Sequence, residues 1–222
     1  MGKWIELTAA DGVTIKGYQA DPAGKPRGGL VVVQEIFGVN SHIRDVCDRY
    51  AADGYLAVAP AIFDRVERDV ELGYTPDDMV RGRDLRARCK LDQVLADIAA
   101  ARAVAATAGR VGIIGYCWGG YLAYVSASRL PGFSCAIAYY GGGMQDALDE
   151  KPKVPVLGHF GEKDQHIPVA GIRKLAAANP SLEVHFYDAD HGFNCDQRGS
   201  YDAAAARVAR ERTLAFLQVH VG

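Results

Sequence analysis

Residues 115–120 read GYCWGG and follow the apolar run VGII. Cys117 stands between glycine-containing steps, a setting the other cysteines, at 47, 89, 135 and 195, do not share. Three readings compete for it: a buried core thiol, a phosphate-cradling turn, and a nucleophile on a sharp strand-to-helix turn. Gly115, Gly119 and Gly120 leave room for close backbone approach, so the turn can hold Cys117 in a strained conformation with its sulfur directed outward. The N–H groups that open the following helix would favour thiolate over thiol and could stabilise an oxyanion formed after attack. The phosphate reading fits poorly. The glycines at 112, 115, 119 and 120 do not form GxGxxG, and no Walker A lysine pattern is present.

A thiol nucleophile needs a base, and the base needs an orienting acid. HFGEKDQHIP at 159–168 puts Asp164 just after a strand-like run, and DADHGFN at 188–194 puts His191 after the last such run. The order Cys117, Asp164, His191 is the nucleophile–acid–histidine order of α/β-hydrolases. Asp164 would accept the Nδ1 proton and hold the tautomer, while Nε2 would face the sulfur. His166 is a rival base, and Asp188 and Asp190 are rival orienting acids. His159, inside a strand, is expected to be structural.

A second signal is QEIFG at 34–38. A glutamate directly after the buried run VVV is costly unless paired or hydrogen-bonded. Glu35 is either a solvated strand end or a partner for the resting Cys117 thiol. In the second case substrate binding would break the contact and free the sulfur for His191. The Ile36 N–H would then join that of Trp118 in an oxyanion hole.

The elements that must position these residues alternate. Trp4–Leu7 and Thr14–Ala20 read as an antiparallel edge hairpin about the Asp11-Gly12 turn. Strands are expected at 30–33, 55–59, 111–115, 135–140, 154–160 and 182–187. Helices are expected from Ser41, as a cap, to about Ala52, over roughly 83–107, over 118–130 and 168–178, and from near Tyr201. The stretch 61–80 reads as an excursion or lid. Such alternation implies a mainly parallel sheet with helices on both faces, in one domain spanning 1–222. Sites in such sheets gather beyond the C-terminal strand ends.

The motifs QEIFGVN at 34–40, GYCWGG at 115–120, YYGGG at 139–143, GEKDQHIP at 161–168 and DADHGFN at 188–194 resemble the dienelactone hydrolase family of α/β-hydrolases in order and spacing. The resemblance covers nearly the entire chain. It implies an eight-stranded, mostly parallel sheet and a Cys117–His191–Asp164 triad. Glu35 corresponds to the family's resting-state thiol partner, and Ile36 and Trp118 to its oxyanion donors. It also implies a carboxylic ester or lactone hydrolase that converts a small anionic dienelactone to maleylacetate, works as a monomer, and needs no metal or organic cofactor. Two arginines would hold the substrate carboxylate. Arg81 matches the first, with Arg83 as its rival. For the second, Asn194-Cys195 occupies the expected place and Arg198 comes later; the position after the histidine is Gly192. Cys195 has no assigned role. A broader carboxylesterase or thioesterase with the same triad, and a noncatalytic small-molecule binding domain, are the alternatives.

Composition bounds the rest. The chain has 222 residues, 49% hydrophobic and 23% charged, with formal net charge -2. That balance carries no nucleic-acid footprint. No apolar run is long enough for a bilayer, and MGKWIELTAADG lacks a signal-peptide pattern. Five cysteines without a CxxC pair fit reduced thiols and a cytoplasmic location. The six histidines form no HExxH or Cys/His cluster, so no metal is expected.

Overall fold

The computed structural model describes residues 2–222. The chain forms two compact units, 1–111 and 112–222.

In the first unit the strand order is β1 (Lys3–Thr8), β2 (Thr14–Ala20), β4 (Tyr55–Pro60), β3 (Gly28–Val33). The β1–β2 hairpin is antiparallel, with Lys3 opposite Gln19 and Thr8 opposite Thr14. β2 runs antiparallel to β4, and β3 parallel to it. Every residue of β3 and β4 is buried, which explains their unbroken apolar runs, whereas β1 is mostly exposed, as an edge strand is.

Three helices complete this unit: α1 (Ser41–Ala52), α2 (Pro76–Arg88) and α3 (Leu91–Ala105). Asn40, not Ser41, caps α1: its side chain accepts from the Ile43 N–H at 3.3 Å. The expected long helix over 83–107 is two helices. A Thr75–Asp78 capping box starts α2 at Pro76, inside the stretch read as an excursion. Cys89 and Lys90 then take extended backbone, ψ 133° and 127°, and divide it from α3. Neither residue is a glycine or proline, so the sequence carries no local signal of this break. Within 61–75, one short 3₁₀ turn (Ile62–Arg65) is followed by a bridge between Glu71 and Gly38.

In the second unit all strands are parallel, in the order β5 (Val111–Tyr116), β6 (Cys135–Tyr139), β7 (Val156–Gly161), β8 (Leu182–Tyr187). α4 (Trp118–Arg129), α5 (Val169–Ala178) and α6 (Ala203–His220) alternate with them. β5, β6 and β7 are buried throughout. Parallel strands share a direction, so the turns carrying 117, 140, 164 and 191 all leave C-terminal strand ends.

Candidate active site

Cys117 occupies the step between β5 and α4 with φ 55° and ψ -117°, a region that side-chain-bearing residues seldom adopt. Three constraints hold it there. The Cys117 N–H donates to the Tyr139 carbonyl at 3.0 Å, and its own carbonyl accepts from the Gly120 N–H at 2.9 Å. A Cβ on Gly115 would lie 1.8 Å from the Gly119 carbonyl oxygen. One on Gly120 would lie 2.8 Å from the Tyr139 oxygen and 2.9 Å from the Gly141 Cα. The glycines are therefore required by close approach. Trp118 is the first residue of α4 and Cys117 its N-cap, so Cys117 stands at the end of the helix where the dipole is positive. Cys117 is half-buried, while Cys47, Cys135 and Cys195 are buried; all five cysteines are free thiols. Burial raises the Cys47 pKa strongly and pushes Cys89 up to about 11, so neither is set up as a nucleophile.

His191 Nδ1 lies 2.6 Å from Asp164 Oδ2. The other oxygen of Asp164 accepts the His166 N–H at 2.8 Å. Cys117 is the other group near enough to act on the imidazole's proton affinity. Burial pulls the His191 pKa down. The charge of Cys117, the hydrogen bonds to Asp164 and Cys117, and the Asp164 charge outweigh this and push it up to about 10. Burial likewise raises the Asp164 carboxyl, but the His191 hydrogen bond and charge hold it below its ordinary value. The imidazole thus bridges carboxylate and sulfur, the arrangement in which a base can take or return a proton.

Of the rival partners, Asp190 accepts the His191 backbone N–H at 2.6 Å, and Asp188 pairs with Lys163 at 2.9 Å. His166 is exposed, its ring perpendicular to that of His191 at 6.0 Å. His159 is wholly buried, as expected of a structural histidine.

Arg198 stands directly over Gly192. A Cβ at 192 would lie 2.6 Å from its Nη1 and 2.8 Å from its Cζ. The two departures from the family pattern are one feature: the missing side chain after His191 makes room for the guanidinium. Arg81 and Arg83 are exposed on α2, and Arg81 is ion-paired with Glu67. Between them, a Cβ on Gly82 would lie 2.2 Å from the Ile36 carbonyl oxygen, so α2 lies against the QEIFG loop. Glu35 is 1% exposed and Ile36 6%, so the solvated strand-end reading of Glu35 is excluded.

Sequence reasoning overlooked Tyr140, Gly161 and Phe193. Tyr140 has φ 37°, and its ring packs on His191 at 5.1 Å and on Phe193 at 5.4 Å. A Cβ on Gly161 would lie 2.3 Å from the Ala189 carbonyl oxygen, bringing the Asp164 and His191 turns together. The available signal was their place inside or beside YYGGG, GEKDQHIP and DADHGFN.

A cysteine on a positive-φ strand-to-helix turn, an aspartate after β7 and a histidine after β8 stand in the order found in α/β-hydrolases. The sequence pattern of the dienelactone hydrolase family matches residues 15–221, and the chain belongs to that family. A Pseudomonas putida carboxymethylenebutenolidase is 34% identical over 230 residues, covering 96% of this chain and 94% of that protein. A Synechocystis protein provisionally named carboxymethylenebutenolidase is 37% identical, covering 93% and 92%. The crystal structure of a Klebsiella pneumoniae protein provisionally titled a dienelactone hydrolase superposes with a TM-score of 0.84 at 33% identity, covering 97% of this chain and 98% of the other. The chain therefore has the α/β-hydrolase fold, eight-stranded and mostly parallel, and is a lactone or ester hydrolase. Among the described residues no helix is long and apolar enough to cross a membrane.

Proposed function

We propose that the protein hydrolyses a small anionic dienelactone to maleylacetate through Cys117. The observation that carries this reading is the His191 ring, held by Asp164 at 2.6 Å and acted on by Cys117, with Cys117 on a positive-φ turn. The thiolate attacks the lactone carbonyl carbon, and the carbonyl π pair moves to oxygen. The Ile36 and Trp118 N–H groups stabilise that oxyanion. Collapse breaks the ring C–O bond, leaving an acyl-thioester on Cys117 and an enolate at the other end of the same molecule. His191, which took the thiol proton as the thiolate formed, keeps it while the enolate takes a proton from water, or gives it to the enolate and then takes one from water itself; in either case the hydroxide displaces the thiolate. Tautomerisation of the enol gives the keto acid. Glu35 holds the resting thiol until the substrate arrives. The monomeric state, the cytoplasmic location and the absence of any cofactor requirement belong to this proposal.

Arg198 over Gly192 and Arg81 or Arg83 on α2 read the substrate carboxylate by charge-assisted hydrogen bonds. In support, the Arg198 guanidinium lies against Gly192, the residue that follows His191 in the chain. Glu67 shows that the Arg81 guanidinium accepts a carboxylate partner. The test is a panel of charged and neutral lactones on Arg81→Ala, Arg83→Ala and Arg198→Ala. Loss of one charged contact should lower kcat/KM on the charged lactones by about tenfold to a hundredfold and leave neutral ones unchanged. Equal turnover of both classes by the unsubstituted enzyme would favour a broader carboxylesterase or thioesterase. No turnover of any ester would favour a binding domain.

A further inference from the structure

His159 has no role in the chemistry above, yet it is fully buried and both ring nitrogens are engaged. We propose that His159 is a positioning residue: through Tyr187 and Thr213 it fixes the spacing of the strand ends that carry the nucleophile, the acid and the base. This rests on the triad assigned above but not on the identity of the substrate.

The links form one chain. Arg212 Nη1 donates to the Tyr187 hydroxyl at 3.1 Å, and that hydroxyl lies 2.8 Å from His159 Nδ1. His159 Nε2 lies 3.1 Å from Thr213 Oγ1, which lies 2.7 Å from the Tyr139 hydroxyl. A guanidinium can only donate, so the Tyr187 hydroxyl accepts from Arg212 and has its own proton left for Nδ1. With Arg212 donating to its oxygen, Tyr187 gives its own proton to Nδ1. His159 is then the neutral Nε2–H tautomer and donates to Thr213. Burial, reinforced by the nearby His185 and Arg212, keeps the His159 pKa well below its ordinary value, in agreement with that assignment. A protonated ring would present a second donor to a tyrosine already accepting from Arg212.

Three members, Tyr139, His159 and Tyr187, also hold part of the site through their backbones. The Tyr139 carbonyl accepts the Cys117 N–H at 3.0 Å. The His159 carbonyl accepts the N–H of Tyr140, whose ring packs on His191, at 2.7 Å. The Tyr187 carbonyl accepts the Glu162 and Ala189 N–H groups at 2.8 and 2.7 Å, and the Ala189 carbonyl accepts the Lys163 N–H at 3.0 Å. The turns bearing Asp164 and His191 are thus tied to the residue that His159 holds. Phe193, two residues past His191, sits among Tyr139, Tyr140 and Tyr187 at 5.2–6.3 Å between ring centres. Three parallel strand ends and α6 meet at one imidazole. A core residue needed only for packing would be apolar, because each buried polar atom must be matched by a partner.

The test uses Thr213→Val and Tyr187→Phe, which remove one hydroxyl each at nearly constant volume, with His159→Phe and His159→Gln. Steady-state turnover of p-nitrophenyl acetate is measured beside the pH dependence of iodoacetamide alkylation at Cys117 and the thermal midpoint. A misplacement of this kind should lower kcat by about tenfold for the hydroxyl deletions and up to about a hundredfold for His159→Phe, with KM changed less than about twofold. The alkylation profile should shift in the same variants. His159→Gln should recover part of the loss, since its amide offers one acceptor and one donor. Folded Thr213→Val and Tyr187→Phe with kcat and alkylation within about twofold of the unsubstituted protein would overturn the proposal, even if the thermal midpoint fell. These two variants decide the matter if His159→Phe does not fold. Alkylation needs no substrate, so failure of the lactone assignment would be recognised separately.

Discussion

Each unit of the chain contains a buried ionic assembly, and the two are finished differently. In the first, Arg65 gives Nε and Nη2 to the two oxygens of Asp97 at 2.7 and 2.8 Å. It gives Nη1 and Nη2 to Asp11 at 2.7 and 3.1 Å. The Arg65 side chain is 6% exposed and that of Asp97 0%. The hydrogen bonds to Asp97 and Asp11 raise the Arg65 pKa further, and all three guanidinium nitrogens are bonded to carboxylate oxygens, Asp97 buried and Asp11 at the surface. In the second, Asp164 is equally well anchored by His191 and the His166 N–H, but the chain of bonds ends on a half-buried sulfur at φ 55°. Buried charge alone therefore does not mark a site. A half-buried thiol on strained backbone beside such an assembly makes it a candidate site.

The sharpest way to break this contrast is Cys117→Ala. It should lower lactone or ester turnover by about a thousandfold or more without loss of folding, measured with homogeneous protein. Retained turnover would remove the nucleophile. Arg65→Ala should do the reverse. It strands the buried Asp97 charge and should cost about 3–5 kcal/mol in urea unfolding, while kcat of the folded protein stays unchanged. Replacing the pair together, Arg65→Met with Asp97→Leu, should restore most of that stability; if it does not, the cluster is more than a closed ion pair.

Titration separates the regions more finely. The His191 pKa is raised from 6.5 to about 10, so its contribution to stability is fully present below pH 6.5 and lost as pH rises through about 10. The His159 pKa is lowered from 6.5, so the unfolded chain takes up that proton first. Its contribution is present above pH 6.5 and falls below it, by about 1.4 kcal/mol per pH unit until the folded ring itself titrates. His159→Phe should flatten the acid side of a stability–pH curve while leaving the alkaline side alone. The smallest effect belongs to the exposed Arg81–Glu67 pair. Glu67→Gln should change stability by less than about 1 kcal/mol, yet lower KM for a charged lactone if Arg81 reads its carboxylate. An unchanged KM would favour Arg83.

The strands were legible because buried parallel strands leave unbroken apolar runs, as in LVVV and VGII, and because Pro60 and Asp53-Gly54 punctuate them. The division between α2 and α3 was not, since Cys89 and Lys90 carry no glycine or proline to announce it. At the site, Cys117, Asp164 and His191 could be named because each follows a strand in a compact motif. Arg198 was uncertain for a physical reason: its place depends on an absent Cβ at Gly192, a contact with no periodicity.

By itself the sequence determined which residue types stand at the ends of which strands, because hydrophobic period and turn chemistry are local. The structure alone decided that His159 is bonded at both nitrogens, that Gly192 seats a guanidinium, and that Arg65 bonds a buried Asp97 while Cys117 stays half-buried on a positive-φ turn. Those outcomes depend on how residues far apart in the chain fill each other's space and satisfy each other's hydrogen bonds, and packing of that kind has no signature along the chain.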